Sequence, residues 1–127
     1  MKYLLDTHAY IWYVEDIKNL SEDAFRIIDN PENELYFSIA SLWEITIKAS
    51  INKLNLKKSI SEIYEDLKMI NINLIQFTKN DFETLLQLEF FHQDPFDRMI
   101  ISQAISNNLI IISNDSKFDY YKINRKW

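Results

Sequence analysis

Four short apolar runs, separated by turn signals and by stretches in which apolar residues recur every three or four positions, set out the organisation of this chain. Tyr3 to Leu5 closes at Asp6-Thr7, and Leu35-Tyr36-Phe37-Ser38-Ile39 follows the turn residues Asn30-Pro31-Glu32-Asn33. The third run is Ile72 to Phe77. The fourth, Leu109 to Ile112, is apolar throughout, as a parallel strand buried on both faces must be. A last short strand is expected near Ile123. Helical periodicity covers about 21 to 30, 41 to 51, 59 to 70, 79 to 90 and 95 to 107, with a shorter helix after Asp6. Ser41 with Glu44 and Ser59 with Glu62 have capping-box spacing, and Asp94-Pro95 places a cap before a proline at the first helical position. Asn107-Asn108 supplies a left-handed stop in a chain that has no glycine at all. Only Phe91 to Asp94 separate the helix ending near 90 from the next, so that pair is predicted to cross at an angle. Strands alternating with helices make an α/β domain with a mainly parallel sheet, and 127 residues suffice for one core, so residues 1–127 are expected to form a single domain.

Acidic residues punctuate this pattern. Asp6 ends the first strand, Glu44 stands in the helix after the second, Asp97 is third in the helix leading to the fourth, and Asp115 follows the fourth by three residues. Ligands of such sheets bind beyond the carboxyl ends of the strands, near the point where strand order reverses, and right-handed crossovers bring all four acids to that edge. Each also has a local explanation as a helix cap or a partner of the helix dipole. Against it, Glu44 shares its face with Ala40, Ile47 and Ile51, and Asp97 heads a stripe with Ile101 and Ala104, so both point inward. The four are read as lacking a lysine or arginine at helical pairing distance. Carboxylates crowded together out of water take up protons or hold a cation.

Composition narrows the chemistry. With no cysteine, disulfides and thiolate metal sites are excluded, and a carboxylate set favours the hard ions Mg²⁺ or Mn²⁺. The absence of glycine excludes phosphate-cradling loops, and His8 and His92, far apart and without a serine or cysteine nucleophile at a strand-to-helix elbow, give no support to a hydrolytic triad. A net charge of −5 argues against a duplex DNA binder, although Lys48, Lys53, Lys57 and Lys58, and again Lys122, Arg125 and Lys126, form local basic groups. Trp12, Tyr13, Trp43 and the apolar positions of the helix at 59 to 70 exceed what one small core hides, which points to a partner surface. No apolar run approaches a membrane span, and Asp6 interrupts the first run too early for a signal peptide, so a cytoplasmic location is expected.

Taken together, Leu4-Leu5-Asp6-Thr7-His8, Ser41-Leu42-Trp43-Glu44-Ile45, the stretch His92-Gln93-Asp94-Pro95-Phe96-Asp97-Arg98 with the apolar helix through Ala104, and Ile112-Ser113-Asn114-Asp115 resemble the PIN-domain family, in particular its VapC-type toxins of toxin-antitoxin pairs. The resemblance spans nearly the whole chain, and Asp94-Pro95-Phe96-Asp97-Arg98 is its most specific part. It implies a three-layer PIN-like fold and a metal-dependent endoribonuclease held inactive by a cognate antitoxin and often dimeric. It carries the four acids of that family onto Asp6, Glu44, Asp97 and Asp115, with Asp94 as a neighbouring acid. Thr7 is then expected to position a water, Arg98 to tether a carboxylate or meet a phosphate, and Lys48 and Lys53 to attract RNA. Two other readings stay open: a binding domain that keeps the fold without a competent site, and a small phosphohydrolase with Asp6 as nucleophile.

Overall fold

A computed structural model describes all residues, 1–127. Five strands form one sheet: β1 (Lys2–Leu5), β2 (Glu34–Ser38), β3 (Ile72–Ile75), β4 (Ile110–Ile112) and β5 (Arg125–Lys126). Their order is β3-β2-β1-β4-β5 and every pairing is parallel. Six helices connect them: α1 (Thr7–Glu15), α2 (Glu22–Asp29), α3 (Ile39–Ser50), α4 (Ile60–Ile70), α5 (Lys79–Gln87) and α6 (Pro95–Asn107), with short 3-10 turns at Ile17–Asn19 and Ser116–Tyr120.

Successive side chains of a strand face opposite ways, so each strand feeds two cores. Tyr3 and Leu5 of β1, Leu35 and Phe37 of β2 and Ile112 of β4 pack with residues of α1 to α4. Leu4 and Ile111 face the other side, against Ile100, Ile101 and Ala104 of α6 and against Phe118. The result is the expected three-layer arrangement, helices on both faces of a parallel sheet.

Several boundaries differ from expectation. Ser38, not Ser41, caps α3, its side chain accepting from the Ala40 amide at 3.0 Å, so Ser41 and Glu44 form no capping box. β2 runs straight into that helix, and an apolar run that changes from strand to helix has no break in its composition to mark the change. The Ser59–Glu62 box is present, and Thr78 with Asp81 forms a second one. α5 ends at Gln87, which leaves seven residues before α6 rather than four. The final strand lies just beyond Ile123, at Arg125–Lys126.

Candidate metal and active site

The chain passes from β1 through β2 to β3 in one direction and then returns to the far side of β1 for β4, so strand order reverses between β1 and β4. Leu5 is in register with Phe37 on one side and Ile112 on the other, which makes Asp6, Ser38 and Ser113 the next row at the carboxyl edge. The Asp6 amide donates to the Ile112 carbonyl at 3.0 Å and continues the ladder by one residue.

Asp6 caps α1 and faces the crevice at once: Oδ1 accepts from the Thr7 amide and Oδ2 from the Ser113 hydroxyl, both at 2.8 Å. Only 6% exposed, its carboxyl is pushed above the ordinary range by burial, against those hydrogen bonds and the nearby His8, with Glu44 adding to the rise. Each Asp6 oxygen thus accepts one hydrogen bond and keeps a further lone pair.

Glu44, on the second turn of α3, is 4% exposed. Its Oε1 lies 2.7 Å from Thr7 Oγ1, which lies 2.8 Å from Ser41 Oγ. The Thr7 hydroxyl has one proton, best given to the carboxylate, so Thr7 orients Glu44. The expectation that no cation pairs with the acids fails here. Lys48, one helical turn on, places Nζ 2.7 Å from Glu44 Oε2. That hydrogen bond holds the Lys48 ammonium above its usual range despite partial burial, with the charges of Glu44, Asp94 and Asp97 adding to it. Lys53 is exposed beyond the end of α3 and forms no ion pair with the acids.

On the opposite wall, Asp94 caps α6, its Oδ1 accepting from the Phe96 amide at 2.8 Å and the Asp97 amide at 3.1 Å. Asp97 is pushed up to about 8, first by burial and then by the charges of Asp6, Asp94, Glu44 and Asp115. Asp115 caps the following 3-10 turn through the Lys117 amide at 3.0 Å. Burial pushes its carboxyl up, yet hydrogen bonds from His92 and the Lys117 amide, with their charges, bring it below the ordinary range.

Two members of this site escaped the sequence reading. His92, 8% exposed, places Nε2 at 2.9 Å from Asp115 Oδ2 and 3.2 Å from Asp97 Oδ2. Its only signal was position, two residues ahead of the cap of the helix whose third residue is Asp97. Ser113 gives its hydroxyl to Asp6 and accepts from the Asp115 amide at 3.0 Å, which links the first and last acids.

Arg98 departs from both roles expected of it. It is 6% exposed and contacts no carboxylate: its guanidinium donates to the carbonyls of Leu88, Glu89 and His92 at 3.1, 2.9 and 3.2 Å and stacks 3.7 Å from the centre of the Phe90 ring. It therefore fixes the loop that carries His92. Arg125 is likewise committed, gripping Asp119 through two bonds of 2.8 Å and the Ser113 carbonyl at 2.9 Å, so it supports the Asp115 loop instead of joining a free basic patch.

This donor set fits a hard divalent cation. Five carboxylates converge, and the rise of the Asp97 carboxyl, from burial and then from the charges of the other four, is one that a bound cation would oppose. The family model for the PIN domain matches residues 3–124. The chain belongs to the PIN domain family. No curated protein matches its sequence. Among solved structures, this PIN domain is similar to VapBC2 from Rickettsia felis bound to a DNA fragment from its promoter, at TM-score 0.74 and 18% identity, covering 99% of this chain and 98% of that one. It is also similar to VapBC-1 from nontypeable Haemophilus influenzae, at TM-score 0.70 and 21% identity over 99% and 97% of the two chains. DNA-bound VapBC from Salmonella typhimurium gives TM-score 0.66 and 19% identity over 99% and 97%. At these identities the likeness speaks for the PIN fold.

Proposed function

We propose that this PIN domain is a metal-dependent endoribonuclease, a toxin of the VapC type that a cognate antitoxin neutralises. The observation that carries the reading is the convergence of Asp6, Glu44, Asp97 and Asp115 at the point where strand order reverses, where burial first and the neighbouring carboxylates second push Asp97 up to about 8. The toxin-antitoxin complexes among its structural neighbours support the partner, and carboxylate donors support Mg²⁺ or Mn²⁺. When bound, such an ion supplies the positive charge that eases deprotonation of an attacking water and stabilises charge building on the phosphate. Asp6, Glu44, Asp97 and Asp115 would hold it. Thr7 fixes Glu44, Ser113 fixes Asp6, and Asp94 orients Asp97 through the helix start. Lys48 sits between the carboxylates and solvent, and with exposed Lys53 it offers charge to an RNA backbone.

A second copy of the chain and an antitoxin need apolar surface. The chain exposes Phe82 and Leu86 of α5 with Phe90 and Phe91 of the next loop, and this is the surface proposed for them. The positions that the sequence pattern named are divided between open and half-buried. Trp12 and Tyr13 are half-buried against Trp127 and Phe25, and of the residues expected to serve partners only Trp43, Ile60, Tyr64 and Met69 remain open.

The test is cleavage of a panel of structured and unstructured RNAs by antitoxin-free protein. Cleavage in Mg²⁺ or Mn²⁺ that stops with chelator and is lost in Asp97→Asn is expected. Binding of RNA without cleavage in either metal would favour a domain that keeps the fold as a binding module, and chelator-resistant cleavage would remove the metal from the mechanism.

A further inference from the structure

The acids account for a carboxylate metal site, but they leave the imidazole on its wall unexplained. His92 Nε2 lies 2.9 Å from Asp115 Oδ2 and 3.2 Å from Asp97 Oδ2, and one donor atom from each of the three residues falls within 4.8 Å of the other two. An octahedral ion with bonds of about 2.1 Å holds neighbouring donors roughly 3 Å apart, so the ring nitrogen already stands at the spacing of one corner of a coordination shell relative to two carboxylates.

The histidine is also built in. The His92 amide donates to Tyr121 Oη at 2.8 Å, and Tyr121 Oη donates to the Glu89 carbonyl at 2.7 Å. Arg98 holds the His92 carbonyl from the other side at 3.2 Å, and the ring packs 5.5 Å from the centre of Phe118. A buried guanidinium, a buried tyrosine and a core phenylalanine are thus spent on fixing one loop histidine. A mobile surface histidine that meets carboxylates by chance would have none of these supports. His8, the other histidine of the chain, is exposed and stacks on Trp12.

Resting on the metal-dependent reading above, we propose that His92 is a nitrogen ligand of the active-site ion, placed with Asp97 and Asp115, and that it biases the site toward Mn²⁺ or a later first-row ion over Mg²⁺. Imidazole is a poor donor for Mg²⁺, which prefers oxygen and keeps its waters. It binds first-row transition ions increasingly well along the series from Mn²⁺ to Cu²⁺. An all-carboxylate site would discriminate less.

The experiment loads metal-free protein with Mn²⁺ and records electron spin-echo envelope modulation, which detects the remote nitrogen of a bound imidazole. Calorimetric titrations with Mn²⁺ and Mg²⁺ accompany it. Wild type and His8→Gln are expected to show the nitrogen modulation, and His92→Gln to lose it. His92→Gln is also expected to weaken Mn²⁺ binding on the order of 10-fold, with Mg²⁺ affinity changed much less. The wild-type spectrum needs no variant to fold, and a melting curve in chelator checks that each variant does. Mn²⁺ bound without nitrogen modulation, modulation that survives in His92→Gln, or equal losses for the two metals would overturn the ligand and leave the carboxylate site standing. If wild type binds neither metal, the underlying reading fails with it.

Discussion

At the scale of single residues, the buried acids of one site respond in opposite ways to losing a charge. In metal-free protein Asp97 has its carboxyl pushed up to about 8, so between the ordinary carboxylate range and pH 8 the folded state binds more protons than the unfolded one. Stability from this group is fully present at low pH and is lost as pH rises toward 8. Asp97→Asn removes that loss. In chelator at pH 8 the variant is expected to be more stable than wild type by at least about 1 kcal/mol, the gain vanishing near pH 4, as read by urea unfolding across that range. Glu44→Gln should do the reverse, because it breaks a charged contact with Lys48 at 2.7 Å and disturbs the bond from Thr7, at a cost of about 1–3 kcal/mol in the same assay. If both variants gained stability in chelator, the pairing of Glu44 with Lys48 would carry no weight. The acids were legible in the sequence because each interrupts an apolar pattern where a strand ends or a helix begins. His92 was not, since a histidine in a loop has no periodicity to violate, and its nearer partner Asp115 reaches it only through the return of the chain to β4.

At the scale of elements, the strands and helices could be read closely because apolar runs and caps mark them, and the errors cluster where one element runs into the next. Ile39 reads as the end of a strand yet begins α3. Helix ends are closed by asparagine: Asn52, Asn71 and Asn108 are the only residues with positive φ, and Asn71 and Asn108 close α4 and α6. Asparagine tolerates this conformation, while a β-branched side chain does not. Asn108→Gly is therefore expected to hold or slightly raise the melting temperature, and Asn108→Val to cost about 1–2 kcal/mol. A Val variant as stable as wild type would mean that α6 ends without the left-handed residue.

At the scale of the whole molecule, no helix is long and apolar enough to cross a membrane, and α5 with the loop after it leaves several large apolar side chains exposed. Leu86 is 87% exposed on α5. Leu86→Glu is expected to reduce self-association of the isolated chain by sedimentation velocity without changing its melting curve, whereas Met69→Glu, 84% exposed on α4, should leave association as it was. Equal association of all three proteins would take the second copy away from α5.

The order of synthesis gives the placement of Ser113 a further meaning. This serine joins Asp6, 107 positions earlier, to the Asp115 loop, and its carbonyl is gripped by Arg125 of β5. A chain emerging from the ribosome carries Asp6 and Glu44 well before it carries Ser113 and Asp115, so the hydroxyl that holds Asp6 is among the later parts of the site to be made. No stretch of chain shorter than the span from β1 to β5 can therefore assemble the crevice: a fragment that stops after α6 keeps Asp6, Glu44 and Asp97 but has neither the hydroxyl that holds the first acid nor the arginine that steadies that hydroxyl's loop.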